Sequence, residues 1–366
     1  MIRVRDGDIQ FKIAEAHDDP AIRQLLRECA MSGRIGISLQ REPSFFQAGS
    51  IEGPDHHAMI ATSNGKIVAL GSLSVRHRFI NGKPLRVGYL GSLRLHPSHA
   101  GRSDILRRGY GFLRELQRKL NVPIYLTSIA ADNRRAIALL ERGLPGMPRY
   151  EHAGNLVTLL LRTRRRRQAT PAGEVDLGRP DSLLAHVNES MSRFQFAPLW
   201  TRDEFDQILA QIQRGNLLGI MDSGRIVGSA SLWDQRSIKQ TIITAYPWHL
   251  AIVRPLCNLF APVFRALPLP PVGKAISQAF VAHLAVSDSE SNATIALIDA
   301  LAGRAYDAGI EILAIGLDSR DPRLAAIRRA FTTRAYATRL YTVRWPDDPM
   351  SEPLDERLIY PEVALL

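Results

Sequence analysis

Apolar and polar residues alternate along DIQFKIAEA near the start of the chain, the period of a half-buried strand. The period then becomes helical in HDDPAIRQLLRECAM, where Ile22, Leu25, Leu26 and Cys29 make one apolar face. Asp18 or Asp19 caps this helix, and Pro20 sits in the first turn, where a missing N–H costs nothing. AMIATSNGKIVALGSLSVRHRF reads as two strands turning at Ser63-Asn64-Gly65, because Asn-Gly accepts positive φ. A second turn around Asn81-Gly82 leads into KPLRVGYLGSLRLHP, a third consecutive strand that stops at Pro97. Beyond the polar loop SHAGRSD, residues Ile105, Leu106, Gly109, Phe112, Leu113, Leu116 and Leu120 fall at helical spacing. The two glycines inside that helix cost about 1 kcal/mol each relative to alanine. A buried strand (NVPIYLTSIA), a short helix ending at Gly143 (DNRRAIALLERGL) and a closing strand (YEHAGNLVTLLLR) complete the series.

The same order of elements returns after RTRRRRQATPAGEV, where charge, Thr, Pro and Gly replace apolar periodicity, as in a linker. Two helical segments, a hairpin at Ser223-Gly224, the strand ISQAFVAHLAV, the helix SNATIALIDALAGRAYDAG, the strand IEILAIGL, a further helix and the strand RAYATRLYTVRW follow in turn. Order repeats while residues do not, so the pattern predicts two copies of one fold. The boundaries it sets are 1–165 for the first domain, 166–180 for the linker, 181–346 for the second domain and 347–366 for a tail. Within the second domain, 246–272 is an apolar insertion carrying Arg254, Arg265 and several prolines, which argues against a membrane span. A helical insertion that packs on the other domain, lines a pocket or forms a homodimer face is expected instead.

A chain of 366 residues, 45% hydrophobic and 23% charged, has the composition of a soluble globular protein of two domains. The polar opening MIRVRDGDIQFK lacks the apolar stretch of a signal peptide, so cytoplasmic residence is the expectation. Cys29 and Cys257 lie in different halves and form neither a disulfide framework nor a metal spacing. A net charge of +11 admits nucleic acid, an anionic membrane face or an anionic ligand. The one dense basic run, RTRRRRQ with Arg164 to Arg167, reads as a solvated strand end and linker before it reads as an RNA site.

The run from LRLHP to DNRRAIALLERG resembles the coenzyme-binding core of the GNAT superfamily of N-acyltransferases. In that family a strand ends in a Val-x-Pro-like step, a loop of the form Arg-Gly-x-Gly-x-Gly/Ala opens a long helix, and an Asn-x-x-Ala helix follows the next strand. Leu95-His96-Pro97 matches the first element, and Gly101 and Arg102 match the loop's Gly-basic pair. Ala100, Ser103 and Ile105 depart from it. Asn133, Ala136, Glu141 and Gly143 match the downstream helix, with Leu140 where the family places a tyrosine that protonates the departing thiolate. The resemblance implies an α/β fold with a mixed (α+β) sheet, built as two tandem GNAT-like acyl-CoA N-acyltransferase folds, the second degenerate. It also implies acetyl-CoA or another acyl-CoA as cosubstrate, with no metal.

On this reading Gly101, Arg102, Ser103, Asp104 and Asn133 surround the pyrophosphate and its helix, while Leu93, Arg94 and Leu95 run beside the pantetheine arm. The start of a helix near Ser103 offers unpaired N–H groups and a positive dipole end to a phosphate. Asp104 opposes this by its charge. The family's usual glutamate base falls at Tyr89, and a related acidic position at Ser92; either residue could order a water, and neither is a good base at neutral pH. His56, His57, His77, His96 and His99 are the remaining candidates on that side. The loop AVSDSESNATIAL of the second half lacks the glycines and carries Asp288 and Glu290, so coenzyme is not expected there. The implied activity is N-acyl transfer to a small-molecule or peptide amine. A non-catalytic CoA- or partner-binding relative and an aminoacyl-tRNA-dependent transferase stand as alternatives.

Overall fold

The computed structural model describes residues 9–31, 33, 35–165, 173–174, 180–212, 216–264, 266–286, 291–348 and 352–366. Arg166, Arg167, Asp288, Glu290 and most of the linker lie outside them. The first half runs β1 (Ile9–Ile13), α1 (Asp19–Glu28), β2 (Gly36–Gln40), α2 (Phe45–Glu52), β3 (Asp55–Ser63), β4 (Lys66–Ile80), β5 (Lys83–Leu95), α3 (Ser103–Leu120), β6 (Ile124–Ala130), α4 (Arg134–Glu141) and β7 (Arg149–Arg162). The second runs β8 (Gly173–Glu174), α5 (Pro180–Met191), α6 (Arg202–Gln211), β9 (Leu217–Asp222), β10 (Arg225–Trp233), β11 (Gln240–Ala245), α7 (Trp248–Phe264), β12 (Gln278–Val286), α8 (Ser291–Asp307), β13 (Ile312–Asp318), α9 (Arg323–Ala330) and β14 (Thr333–Arg344). The three hairpin turns sit where the sequence places them. Asn64-Gly65, Asn81-Gly82 and Ser223-Gly224 all take positive φ at both positions, the geometry that suits the twist of the flanking strands.

Strands of both halves form one 12-stranded sheet in the order β1-β3-β4-β5-β6-β14-β7-β13-β12-β10-β9-β8. The halves exchange their last strands. β14 lies against β6, from Thr338 opposite Ala130 to Val343 opposite Tyr125, and β7 lies against β13, from Leu156 opposite Asp318 to Arg162 opposite Ile312. Packing explains the exchange. Tyr341, Val343 and Trp345, on and just after β14, bury among Leu113, Ile129, Ile137 and Leu140 of the first half, whereas Leu159 and Leu161 of β7 bury in the second-half core with Phe205 and Leu301. A separate two-stranded ladder of β11 and β2 also ties the halves, reinforced by Gln240, whose side chain accepts from Glu42 N and donates to Glu42 O.

Three features go beyond the sequence reading. β2, α2 and β11 emerge as elements of their own. Residues read as a tail return to the interior, where Ile359, Tyr360, Val363, Ala364 and Leu365 are buried. The insertion forms α7, most of which stands in solvent.

Candidate active site

β5 is bound to two neighbours for only part of its length. Val87 to Leu90 pair in parallel with Ile124 to Thr127 of β6, and there the ladder stops. β4 stays with β5 to Leu95, and β14 stays with β6 to Ala130, so residues 91–95 and 128–130 diverge. The cause is a bulge. Ser72 faces Gly91 while Leu70 faces Arg94, which leaves Ser92 and Leu93 opposite Gly71 alone, with Ser92 at φ +53°. A non-glycine residue held there costs on the order of 1 kcal/mol, which neighbouring ladder bonds sustain. Thr127 Oγ1 donates to Leu90 O at 2.7 Å and fixes the last closed step. Leu93 is 47% exposed at the lip, so main-chain groups along 91–95 border an open cleft.

The helix start faces the same end of β5. Gly101 has φ +87° with open space around a would-be Cβ, so backbone conformation is what calls for glycine. α3 begins at Ser103 without a side-chain cap from Arg102. Arg102 instead grips Asp104 through two bonds of 2.7 Å, and this pairing holds the Asp104 carboxyl down to about 2. The acid that opposed a phosphate is thus neutralised by the cation meant to attract it. Ile105, at the family's small-residue position, is buried with Ile9, Ala61 and Val68 and anchors the helix start. Asn133 caps α4, its Oδ1 accepting from Ala136 N at 3.2 Å. Leu140 is buried in one cluster with Tyr341, whose hydroxyl donates to Glu141 at 2.6 Å. Arg94 Nη1 donates to Leu93 O at 2.8 Å, and Cys29 Sγ lies 3.6 Å from Leu95 O.

Tyr89 is buried below the cleft, its hydroxyl 2.8 Å from Ser128 Oγ. Burial pushes it up to about 12, so it is a proton donor and not a base. Near it lies a polar cluster that the sequence order hides. Glu52, the last residue of α2, is 3.2 Å from Lys239 Nζ and 3.5 Å from Arg41. Burial works to raise Glu52, but Lys239, Arg41 and His56 outweigh it and hold the carboxyl low. Burial lowers Lys239 to about 8 against the pull of Glu52. His56 binds Ser74 Oγ at 2.7 Å, and Gly49 makes room for its ring, since a Cβ there would stand 2.5 Å away. Of the other candidate histidines, His77 is exposed, His57 pairs with Asp55, and His96 pairs with Glu28 and bonds Ser98, which also bonds His99. Among the described residues no group of three His, Cys, Asp or Glu is placed to hold a metal.

The second half repeats the device and fills it. β12 pairs with β13 only from Gln278 to Phe280, the β10 register shifts between Ser229 and Ser231, and His283 takes φ +52°. Into the gap goes the chain's own end. His283 N donates to Glu362 Oε2 at 3.0 Å, and Val363 packs so closely on Gly316 of β13 that a Cβ there would lie 2.8 Å from it. Ala364 O accepts from Gln235 Nε2 at 3.0 Å and lies 3.4 Å from Lys239 Nζ. A segment that closes in a 3-10 turn at Val363–Leu365 therefore occupies the second opening, in the place that corresponds to the open cleft of the first.

No family model and no curated protein matches the sequence. Solved structures do match its shape. Saccharomyces cerevisiae N-myristoyltransferase with bound myristoyl-CoA superposes with a TM-score of 0.61 at 12% identity, over 98% of this chain and 89% of that one. A GCN5-related N-acetyltransferase from Sphaerobacter thermophilus gives a TM-score of 0.58 at 14% identity, over 94% of this chain and 98% of that one. One from Anabaena variabilis gives 0.52 at 10% identity, over 91% and 72%. Likeness at these identities speaks for the fold, and together with the repeated bulge and parallel step it shows that this chain has the GNAT superfamily fold, twice in tandem, with the last strands of the copies exchanged.

Proposed function

We propose that the protein is an acyl-CoA-dependent N-acyltransferase whose first copy binds the coenzyme and acylates a primary amine. The observation that carries this reading is the open cleft between residues 91–95 and 128–130. A pantetheine arm carries amides, and the main-chain groups bordering the cleft are their natural partners, just as His283 N in the filled second copy takes a partner from the inserted segment, the Glu362 carboxylate. The coenzyme's pyrophosphate rests at the start of α3, where the positive end of the helix dipole faces it and Arg102 supplies charge. Leu93, Arg94 and Leu95 flank the arm, and Asn133 holds α4 in place behind it. Acetyl-CoA is the simplest donor; the length of the acyl chain is an arm of the assay.

The acceptor amine must lose a proton before it attacks the thioester carbon, and the breaking C–S bond returns an electron pair that takes one up. Lys239, held near 8 within the Glu52 and Arg41 cluster, is a described group tuned to accept the first. Tyr89, with Ser128, keeps its proton and serves as donor or water anchor, and Ser92 stands at the cleft lip in the same capacity. Because the second copy's opening is filled, that copy shapes the acceptor side. Isothermal titration with acetyl-CoA and longer acyl-CoAs, followed by an amine screen read as free thiol, tests the proposal. Coenzyme binding with thiol release supports it. Binding without release with any amine favours a non-catalytic CoA-binding role, for which the Arg102 to Asp104 pairing and Leu140 already speak. No binding defeats both.

The RNA-dependent alternative rests on the basic run. Arg164 is engaged within the fold, 2.9 Å from Asp299 and stacked over Phe331, while Arg166 and Arg167 lie outside the described residues. A loss of salt-sensitive tRNA retention on changing Arg164 to Arg167 to alanine is the result that would revive it.

A further inference from the structure

α7 is an amphipathic helix turned inside out. The stripe it turns toward the protein, Leu250, Arg254, Asn258 and Ala261, includes two polar residues. Arg254 Nη1 donates to Leu269 O at 3.3 Å, and Asn258 exchanges two bonds of 2.9 Å with the main chain of Leu269. Arg162 of β7 reaches up to the carbonyls of Ala261 and Ala266. Apart from His249 the outward residues are apolar: Trp248, Ile252 and Leu259 are 77%, 71% and 70% exposed, and Val253, Leu256 and Phe260 are exposed beside them. Folding has thus satisfied the polar side of this helix and left its apolar side in water.

The width of that side says what covers it. At about 100° per residue these six sweep about 140°, and the exposed Ala251, Pro255 and Cys257 widen the arc to roughly two thirds of the circumference, against the stripe of about 100° that suffices to dock a helix on one surface. A second copy or a protein groove would cover a stripe and leave the rest wet, whereas lipid surrounds. The helix has 17 residues, about 25 Å, and no described helix is long and apolar enough to cross a bilayer. Its charge also points one way. The stretch 246–274 contains no Asp or Glu but has Arg254, Arg265 and Lys274, within a chain of net charge +11.

We propose that α7 lies in the headgroup boundary of an anionic membrane and holds the protein on that surface, with Trp248, Ile252, Leu256 and Leu259 among the acyl chains. This is independent of the coenzyme reading. A large apolar face, a stretch with cations and no acid, and insufficient length to span are the features of an in-plane anchor.

The test is co-sedimentation of the intact protein with vesicles of phosphatidylcholine mixed with phosphatidylglycerol and of phosphatidylcholine alone, with fluorescence quenching by brominated phosphatidylcholine. Trp200, Trp233 and Trp345 are buried, so Trp248 dominates the quenchable signal. The expected result is partition into the anionic vesicles, several-fold weaker partition into neutral ones, and quenching of Trp248 by the brominated chains. The double variant Ile252→Glu with Leu256→Glu, both on exposed positions, keeps the thermal melt and loses more than about tenfold in partition. If that variant fails to fold, quenching of the unaltered protein decides alone. No partition, equal partition into both vesicles, or a dimer without lipid that the double variant dissolves overturns the proposal, the last by assigning the face to a second copy.

Discussion

Replacing Asp104 with asparagine isolates the feature that sets this phosphate loop apart. In the native protein the Arg102 guanidinium is committed to Asp104 by two bonds, and a bound pyrophosphate must compete for it while meeting a carboxylate in the first turn of α3. The carboxyl lowered from 3.8 to about 2 implies a pair worth about 2 kcal/mol at face value. Both side chains are more than a third exposed, so solvent screening reduces this to about 0.5 to 1 kcal/mol. The variant removes one repulsive charge and one competitor for Arg102, so CoA should bind about two- to sixfold tighter. Stability moves the other way. A carboxyl depressed in the fold contributes stability that is present above about 3.8 and lost as pH falls through about 2, and the variant forgoes that contribution, about 1 kcal/mol or less. Titration calorimetry at low and moderate salt reads the affinity, and the gain shrinks as salt rises. An unchanged or weaker CoA affinity refutes the argument, because it means that Asp104 does not compete at the phosphate site.

Further outcomes follow from the same geometry. A chain ending at residue 165 loses Tyr341, Val343 and Trp345 from its core and the β14 ladder beside β6, and the missing apolar burial, about 1.5 to 3 kcal/mol per side chain, removes most of a domain's stability; it should give no cooperative melt by circular dichroism. Lys239→Arg keeps a cation beside Glu52 but takes away a group that titrates near 8. The native kcat/KM rises with pH through about 8, and the variant loses that limb and about 100-fold in rate, with a melt shifted by only a few degrees. His283 is buried neutral and lowered to about 3, so the unfolded state binds more protons between about 6.5 and 3 and stability falls with pH through that window. Asparagine tolerates the left-handed backbone at 283, and urea titrations of His283→Asn across that window should show a shallower acid loss.

How much of this was legible in the sequence depends on how local the signal is. Asn64-Gly65, Asn81-Gly82 and Ser223-Gly224 carry their turn geometry in the dipeptide itself, and the α3 face is written in its spacing from Ile105 to Leu120. The exchange of β7 and β14 is not local. Leu159 and Tyr341 look alike as strand residues, and nothing in either strand says which core it enters. The cleft was legible only through resemblance, since Ser92 gives no sign of positive φ. Glu52 and Lys239 escaped because they are distant in sequence and meet only when β11 pairs with β2. A carboxylate beside Ile51 in FFQAGSIE, on a short helix whose polar residues are otherwise Gln47 and Ser50, was the one available hint. Tyr341 escaped for the same reason as its strand.

The central claim, that coenzyme enters the first copy's cleft and not the second's, is tested most directly by hydrogen–deuterium exchange of the intact protein with and without acyl-CoA. The account predicts slowed exchange at residues 91–95 and at the start of α3, residues 101–107, with 281–286 unchanged because the chain's own end already fills that opening. Protection centred on 281–286, or none anywhere at saturating coenzyme, would contradict it.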